Sequence, residues 1–133
     1  MDTSKPQNLK GFKRFERQRK QFKEPTLMMD KNKSFRLNAS ACRKFDLFKY
    51  DGVILYFNED IRAIGLSFTN NKDEDGYNKL YKYSLSNVLF HARSFIKHFN
   101  IVDFVPEPIV QARENFYVIK LSPKLQHPPN GKE

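Results

Sequence analysis

The phrase SACRKFDL, Ser40 to Leu47, returns 54 residues later as SFIKHFNI, Ser94 to Ile101. Both run Ser, two variable positions, a base, Lys or His, Phe, Asp or Asn, then Leu or Ile. A second match follows without gaps: ILYFNEDIRAIGLS (Ile54–Ser67) lies against IVQARENFYVIKLS (Ile109–Ser122) at an offset of 55. Ile54/Ile109, Glu59/Glu114, Ile64/Ile119, Leu66/Leu121 and Ser67/Ser122 are identical, and the order of apolar and turn positions holds throughout. This reads as an internal duplication, and it constrains the fold more than any other feature. One copy is too short to bury enough apolar surface to fold alone. Two copies in one chain close a shared core about a pseudo-twofold axis, with loop closure in place of association. The expected result is a monomer with internal symmetry, with higher oligomers left open.

The elements follow from local pattern. TLMMD and SFRLN are strand candidates around the polar turn KNK, and ASACRKF is a short helix with Asn38 or Ser40 available as N-cap. DGVILYFN and IRAIGLSF make a second hairpin. The polar stretch TNNKDEDGYN (69–78) reads as a linker. The order then recurs: LYKYSL and VLFHA, the helix RSFIKHF, the extended FVPEPIVQA with Pro106 and Pro108 held to an edge or bulge, and FYVIKLS. The fold class is α+β, mainly β: two hairpin–helix–hairpin repeats (25–68 and 79–122) in one domain, preceded by a basic arm (1–24) and followed by a disordered tail (123–133).

Charge points to a partner. Lys and Arg number 24 against 15 Asp and Glu, a net charge of +9. The surplus concentrates in residues 1–24, where Lys5, Lys10, Lys13, Arg14, Arg17, Arg19, Lys20 and Lys23 face only Asp2, Glu16 and Glu24. A basic arm ahead of a mildly basic body fits a polyanion, of which nucleic acid is the commonest. Phe12, Phe15 and Phe22 fall at helical spacing within that arm. They fit a groove on a partner protein as well as they fit a stack of unpaired bases. Phe45, Phe48, Phe57, Phe95, Phe99 and Phe116 are assigned to core faces.

The helix end and its flanks resemble the swapped-hairpin DNA-binding domain of the AbrB/MazE type. In KSFRLNASACRKFDL, Leu37-Asn38 stands for that family's Ile-Pro, Arg43 for a basic helix position, Phe45 for Leu, Asp46 for Gly and Leu47 for Ile. Lys97, Phe99, Asn100 and Ile101 fall on the same places in the second copy. Asp and Asn tolerate the left-handed conformation that ends a helix, which explains their standing in for Gly. The family's hairpin Gly-Arg is absent; Lys33-Ser34 stands there in the first copy and Ser86-Asn87 in the second. The resemblance implies DNA binding by a non-enzymatic transcriptional regulator or antitoxin-like factor, through first hairpins and helix starts. Carried onto this chain, the family's basic positions fall on Arg43 and Lys97; Lys31, Lys33 and Arg36 sit on the first hairpin, and Lys10, Lys13, Arg14, Arg17, Arg19 and Lys20 of the arm are expected to add sequence-neutral phosphate contacts. Double-stranded DNA is favoured and single strands stay open. The alternative is a small phage or plasmid module that engages a host protein through Phe12, Phe15 and Phe22.

Catalysis has no visible constellation. His91, His98 and His127 lack partners at metal-ligand spacing, no Gly-rich phosphate loop occurs, and Cys42 reads as buried filler. No cofactor or metal is expected. A lone cysteine, no run of apolar residues long enough to span a bilayer and no apolar leader at the start fit a cytoplasmic protein. Usage rich in Lys, Asn and Phe suggests a prokaryote or its phage.

Overall fold

Asn38 stands where a strand must stop and a helix begin. In the computed structural model, which describes residues 11, 23–82 and 86–122, its Oδ1 accepts from the Ala41 N–H at 3.0 Å and so caps helix α1 (Ala39–Lys44). The same oxygen accepts from the Thr26 N–H at 3.0 Å, and Nδ2 donates to the Glu24 carbonyl at 3.0 Å. One buried amide thereby ties the start of the first strand to the start of the first helix. Ser40, the other candidate cap, donates instead to the Lys23 carbonyl. Helix α2 (Arg93–His98) has no side-chain cap and starts at Ala92, whose N–H donates to the Lys33 carbonyl at 3.2 Å. Both helices end alike. Phe45 and Phe99 close them, and Asp46 and Asn100 follow with φ of 54° each. Short polar side chains carry that left-handed conformation with the least strain after glycine.

Among the described residues, ten strands form two antiparallel sheets. Strands β1 (Thr26–Met29), β2 (Ser34–Leu37), β6 (Tyr81–Lys82), β7 (Val88–His91) and β8 (Glu107–Pro108) make the first, in the order β6-β7-β2-β1-β8. Strands β3 (Gly52–Asn58), β4 (Ala63–Thr69), β5 (Tyr77–Lys79), β9 (Val110–Arg113) and β10 (Phe116–Lys120) make the second, in the order β5-β3-β4-β10-β9. The protein is thus α+β and mainly β. Each sheet is centred on a contact between the two halves of the chain: β2 pairs with β7, and β4 with β10. In the first, Phe35 faces Phe90; in the second, Ile64 faces Ile119. Both pairs are 55 residues apart. Every hairpin keeps its own two strands side by side, and no strand of one is inserted into another.

The end of the stretch read as a linker joins these sheets: Tyr77 and Asn78 begin strand β5 on the edge of β3. Tyr77 lays its ring over Gly52, which has no Cβ to obstruct it, and donates its hydroxyl to the Asp51 carbonyl. FVPEPIVQA divides in two: β8 adds to β1, while β9 forms a hairpin with β10. Pro108 sits on the outermost strand of its sheet, where a missing N–H removes no ladder bond. Asn115, in the β9–β10 turn, clamps the end of β4: it accepts from the Phe68 N–H and donates to the Phe68 carbonyl, both at 2.8 Å. Of the arm and the tail, only Gly11, Lys23 and Glu24 are among the described residues.

The core lies between the sheets. Leu27, Phe35, Leu37, Val88 and Phe90 face inward from the first; Val53, Ile64, Leu66, Phe68 and Ile119 from the second; Cys42, Phe45, Leu47, Ile96 and Ile101 plug the helical sides. Two aromatics assigned to the core from sequence lie elsewhere. Phe48 is 38% exposed, because the left-handed Asp46 resets the helical phase before the 3-10 turn Leu47–Lys49. Phe116 lies on the outer face of its sheet, and its neighbour Tyr117 takes the inward position. Phe35 and Ile64 are both 0% exposed. Phe35→Ala is expected to cost about 3–5 kcal/mol and Ile64→Ala about 2–5 kcal/mol; urea unfolding measures both, and a loss under about 1 kcal/mol would show that these central positions do not hold the halves together.

Glu107 is the one buried acid of the described residues. Its Oε2 accepts from the Ser122 N–H at 2.9 Å, fastening β8 to the end of β10. Burial raises its pKa above the ordinary carboxylate value, and the Ser122 hydrogen bond only partly offsets that. A raised carboxylate pKa means that the folded state binds the proton more tightly than the unfolded state. The ionised group therefore costs stability at neutral pH, and the cost disappears as pH falls through the folded pKa. Glu107→Gln, which keeps the acceptor, is expected to unfold at higher urea than the parent at pH 7. That advantage should shrink as the pH falls from neutral through the raised pKa of Glu107 down to the ordinary carboxylate value, and stay constant below it. An advantage that grows with acid would contradict the assignment.

Candidate nucleic-acid interface

The tip of the first hairpin is built by Asp30. Its Oδ1 accepts from the N–H groups of Asn32 (2.9 Å) and Ser34 (3.0 Å), and the Lys33 N–H donates to its carbonyl at 3.1 Å. Lys33 then takes the left-handed conformation, φ 65°. In short hairpin loops that place usually belongs to glycine. A lysine there costs about 1–2 kcal/mol of backbone strain, and it fixes the direction in which a long cation leaves the turn. The turn is fastened to the second half of the chain: Lys33 accepts from the Ala92 N–H, and Arg93 reaches the Asn32 carbonyl at 3.5 Å.

That junction creates a groove of about 330 Å³ between the hairpin tip and α2. Lys33, Arg93 and Lys97 rim it, and Ile96, Ile101 and Val102 form its apolar walls. No acid lines it. Among the described residues the one ion pair, Lys49 Nζ to an Asp46 carboxylate oxygen at 3.5 Å, lies elsewhere. Three bases thus converge on one concavity without a carboxylate to neutralise them. Arginine can grip two oxygens of a phosphate with its planar fork, and each lysine adds a compact charge.

The residues expected from sequence separate here. Lys33 and Lys97 come together in the groove, and Lys31 is exposed on the same hairpin tip. Arg36 alternates with the inward Phe35 and Leu37, as its strand position requires. It pairs with Met28 on one side and Leu89 on the other, and its Nε is screened from solvent. Arg43 is exposed on α1, outside this groove, where it and Lys82 act on the buried Cys42 thiol. Lys10, Lys13, Arg14, Arg17, Arg19, Lys20, Phe12, Phe15 and Phe22 lie outside the described residues. Arg93 was missed by sequence reasoning. Its signal was a base in the first turn of a helix, where the helix dipole disfavours positive charge.

Cys42 is 1% exposed, and burial pushes its thiol up to about 11, against smaller opposing effects of a backbone hydrogen bond, Lys82 and Arg43. It is therefore a thiol and not a thiolate at neutral pH. Native protein is expected to resist iodoacetamide at pH 8 and to react once unfolded in urea; rapid alkylation of the native state, followed by mass spectrometry, would show the thiol to be accessible. Among the described residues, no three His, Cys, Asp or Glu side chains are placed to hold a metal, and no helix is long and apolar enough to cross a membrane. No family model, curated protein or solved structure matches the chain.

Proposed function

We propose that this chain is a non-enzymatic, double-stranded DNA-binding protein of the regulator or antitoxin-like kind, built as a one-chain pseudo-dimer on a swapped-hairpin-like plan. The observation that carries the reading is the groove in which Lys33, Arg93 and Lys97 converge without an acid. The two contacts between residues 55 apart, Phe35 with Phe90 and Ile64 with Ile119, support the pseudo-dimeric plan, as do the matching helix ends at Asp46 and Asn100.

A phosphate of the DNA backbone sits between Arg93 and Lys97, with Lys33 reaching the next along the strand. The hairpin tip, carrying Lys31, lies toward the major groove, which admits a two-stranded ribbon. Contacts of this type position the protein and carry no sequence information. The arm adds further phosphate contacts, so affinity falls steeply with salt. In the full-length chain, Arg93→Ala with Lys97→Ala is expected to flatten the salt dependence of duplex binding by about 2 in log–log slope. Affinity at low salt should fall by about tenfold or more. Fluorescence anisotropy of a labelled duplex at several salt concentrations reads both, and an unchanged slope with unchanged affinity would remove the groove from the interface.

A further inference from the structure

The outer face of the second sheet carries three aromatic rings that the core does not use. Phe116 lies across Gly65: a Cβ added there would stand 2.7 Å from the ring's Cζ, and 3.2 Å from the Cβ of Tyr56. Tyr56 meets Phe116 edge-on with ring centres 5.2 Å apart and is itself 43% exposed. Toward the β5 edge of the same face, the ring of Tyr77 covers Gly52. Gly65 and Gly52 leave room for the Phe116 and Tyr77 rings to approach the strands closely. Among the described residues no other element covers this layer.

The charges on the strands that carry the rings have one sign. The five strands β5, β3, β4, β10 and β9 contain no Asp or Glu, while Lys79, Arg113 and Lys120 are exposed on them. The Arg113 guanidinium lies 5.2 Å from the centre of the Phe116 ring. Lys120 pairs opposite Ala63 and Lys79 opposite Gly52, on the two sides of the paired strands β3 and β4, with the Lys79 ammonium 5.3 Å from the centre of the Tyr81 ring. The carboxylates that flank these strands, Asp51, Glu59, Asp60, Asp73, Glu74, Asp75 and Glu114, lie in the connecting segments.

We infer that this face binds single-stranded nucleic acid, with unpaired bases stacked on Tyr56 and Phe116 and phosphates held by Arg113, Lys120 and Lys79. Rings lying on an open sheet with cations beside them offer a π-face to any base, and a duplex, whose bases are already stacked, cannot use them. The site is distinct from the Lys33–Arg93–Lys97 groove and does not depend on the reading of that groove.

The chain has no Trp and six Tyr, so stacking on Tyr56 is expected to quench the intrinsic tyrosine emission on titration with a short oligo-dT. In the full-length chain, Tyr56→Ala and, separately, Phe116→Leu are expected to weaken oligo-dT binding by about tenfold each, one stack being worth about 1–3 kcal/mol. Duplex affinity should be unmoved by either. Arg93→Ala with Lys97→Ala should show the opposite pattern, which separates failure of this site from failure of the groove. Tyr56 is exposed enough that its truncation leaves the core intact. The inference is overturned if the full-length chain does not bind oligo-dT. It also falls if an abasic strand of equal length binds as tightly, or if both variants bind oligo-dT like the parent.

Discussion

Everything else in this fold rests on two strand pairings between distant parts of the chain, β2 with β7 and β4 with β10. Neither half contains a complete sheet: each donates one hairpin to each of two five-stranded layers. The residues at the centres of those pairings, Phe35 opposite Phe90 and Ile64 opposite Ile119, are all fully buried. Apolar surface of this amount cannot be hidden within either half. Carrying both halves on one chain makes their meeting intramolecular, and the cost of closing the long connection grows only slowly with its length.

The same arrangement assembles the basic groove. Lys33 comes from the first hairpin, Arg93 and Lys97 from the second helix, and they meet because β2 and β7 are neighbours. The left-handed Lys33 is informative in this setting. A position that favours glycine holds a lysine, and the strain of that choice is borne where the side chain lines a concavity. The first helix, with Arg43 and Lys82 near its buried Cys42, is not a copy of this site. Ala39 stands where the second helix has Arg93, and a buried Asn38 caps the first helix where Ala92 begins the second. The two halves share a plan and differ in where they place charge.

Much of this was legible in the residues. The hairpin–helix–hairpin order, the αL endings at Asp46 and Asn100, the cap at Asn38 and the inward side of most strands follow from short-range rules: alternation, capping chemistry and the tolerance of Asp and Asn for positive φ. The site was legible only in part. Lys33 and Lys97 could be named as basic, but nothing local says that residues 64 positions apart share a groove. Arg36 could be placed on the outward side of its strand, but not under neighbours that screen its Nε from solvent. Phe116 was assigned to the core because aromatics usually are, and the register that puts Tyr117 inside instead is set by pairing with β4.

What the sequence determined by itself was the set of elements, their caps and turns, and the excess of positive charge, because each depends on neighbours a few residues away. The tertiary structure alone decided which hairpin joins which sheet and which bases converge. It also decided which aromatic rings lie outside, over Gly65 and Gly52. Those outcomes depend on strand register between segments some fifty residues apart in the chain, and a shift of one residue there would turn every side chain to the opposite face.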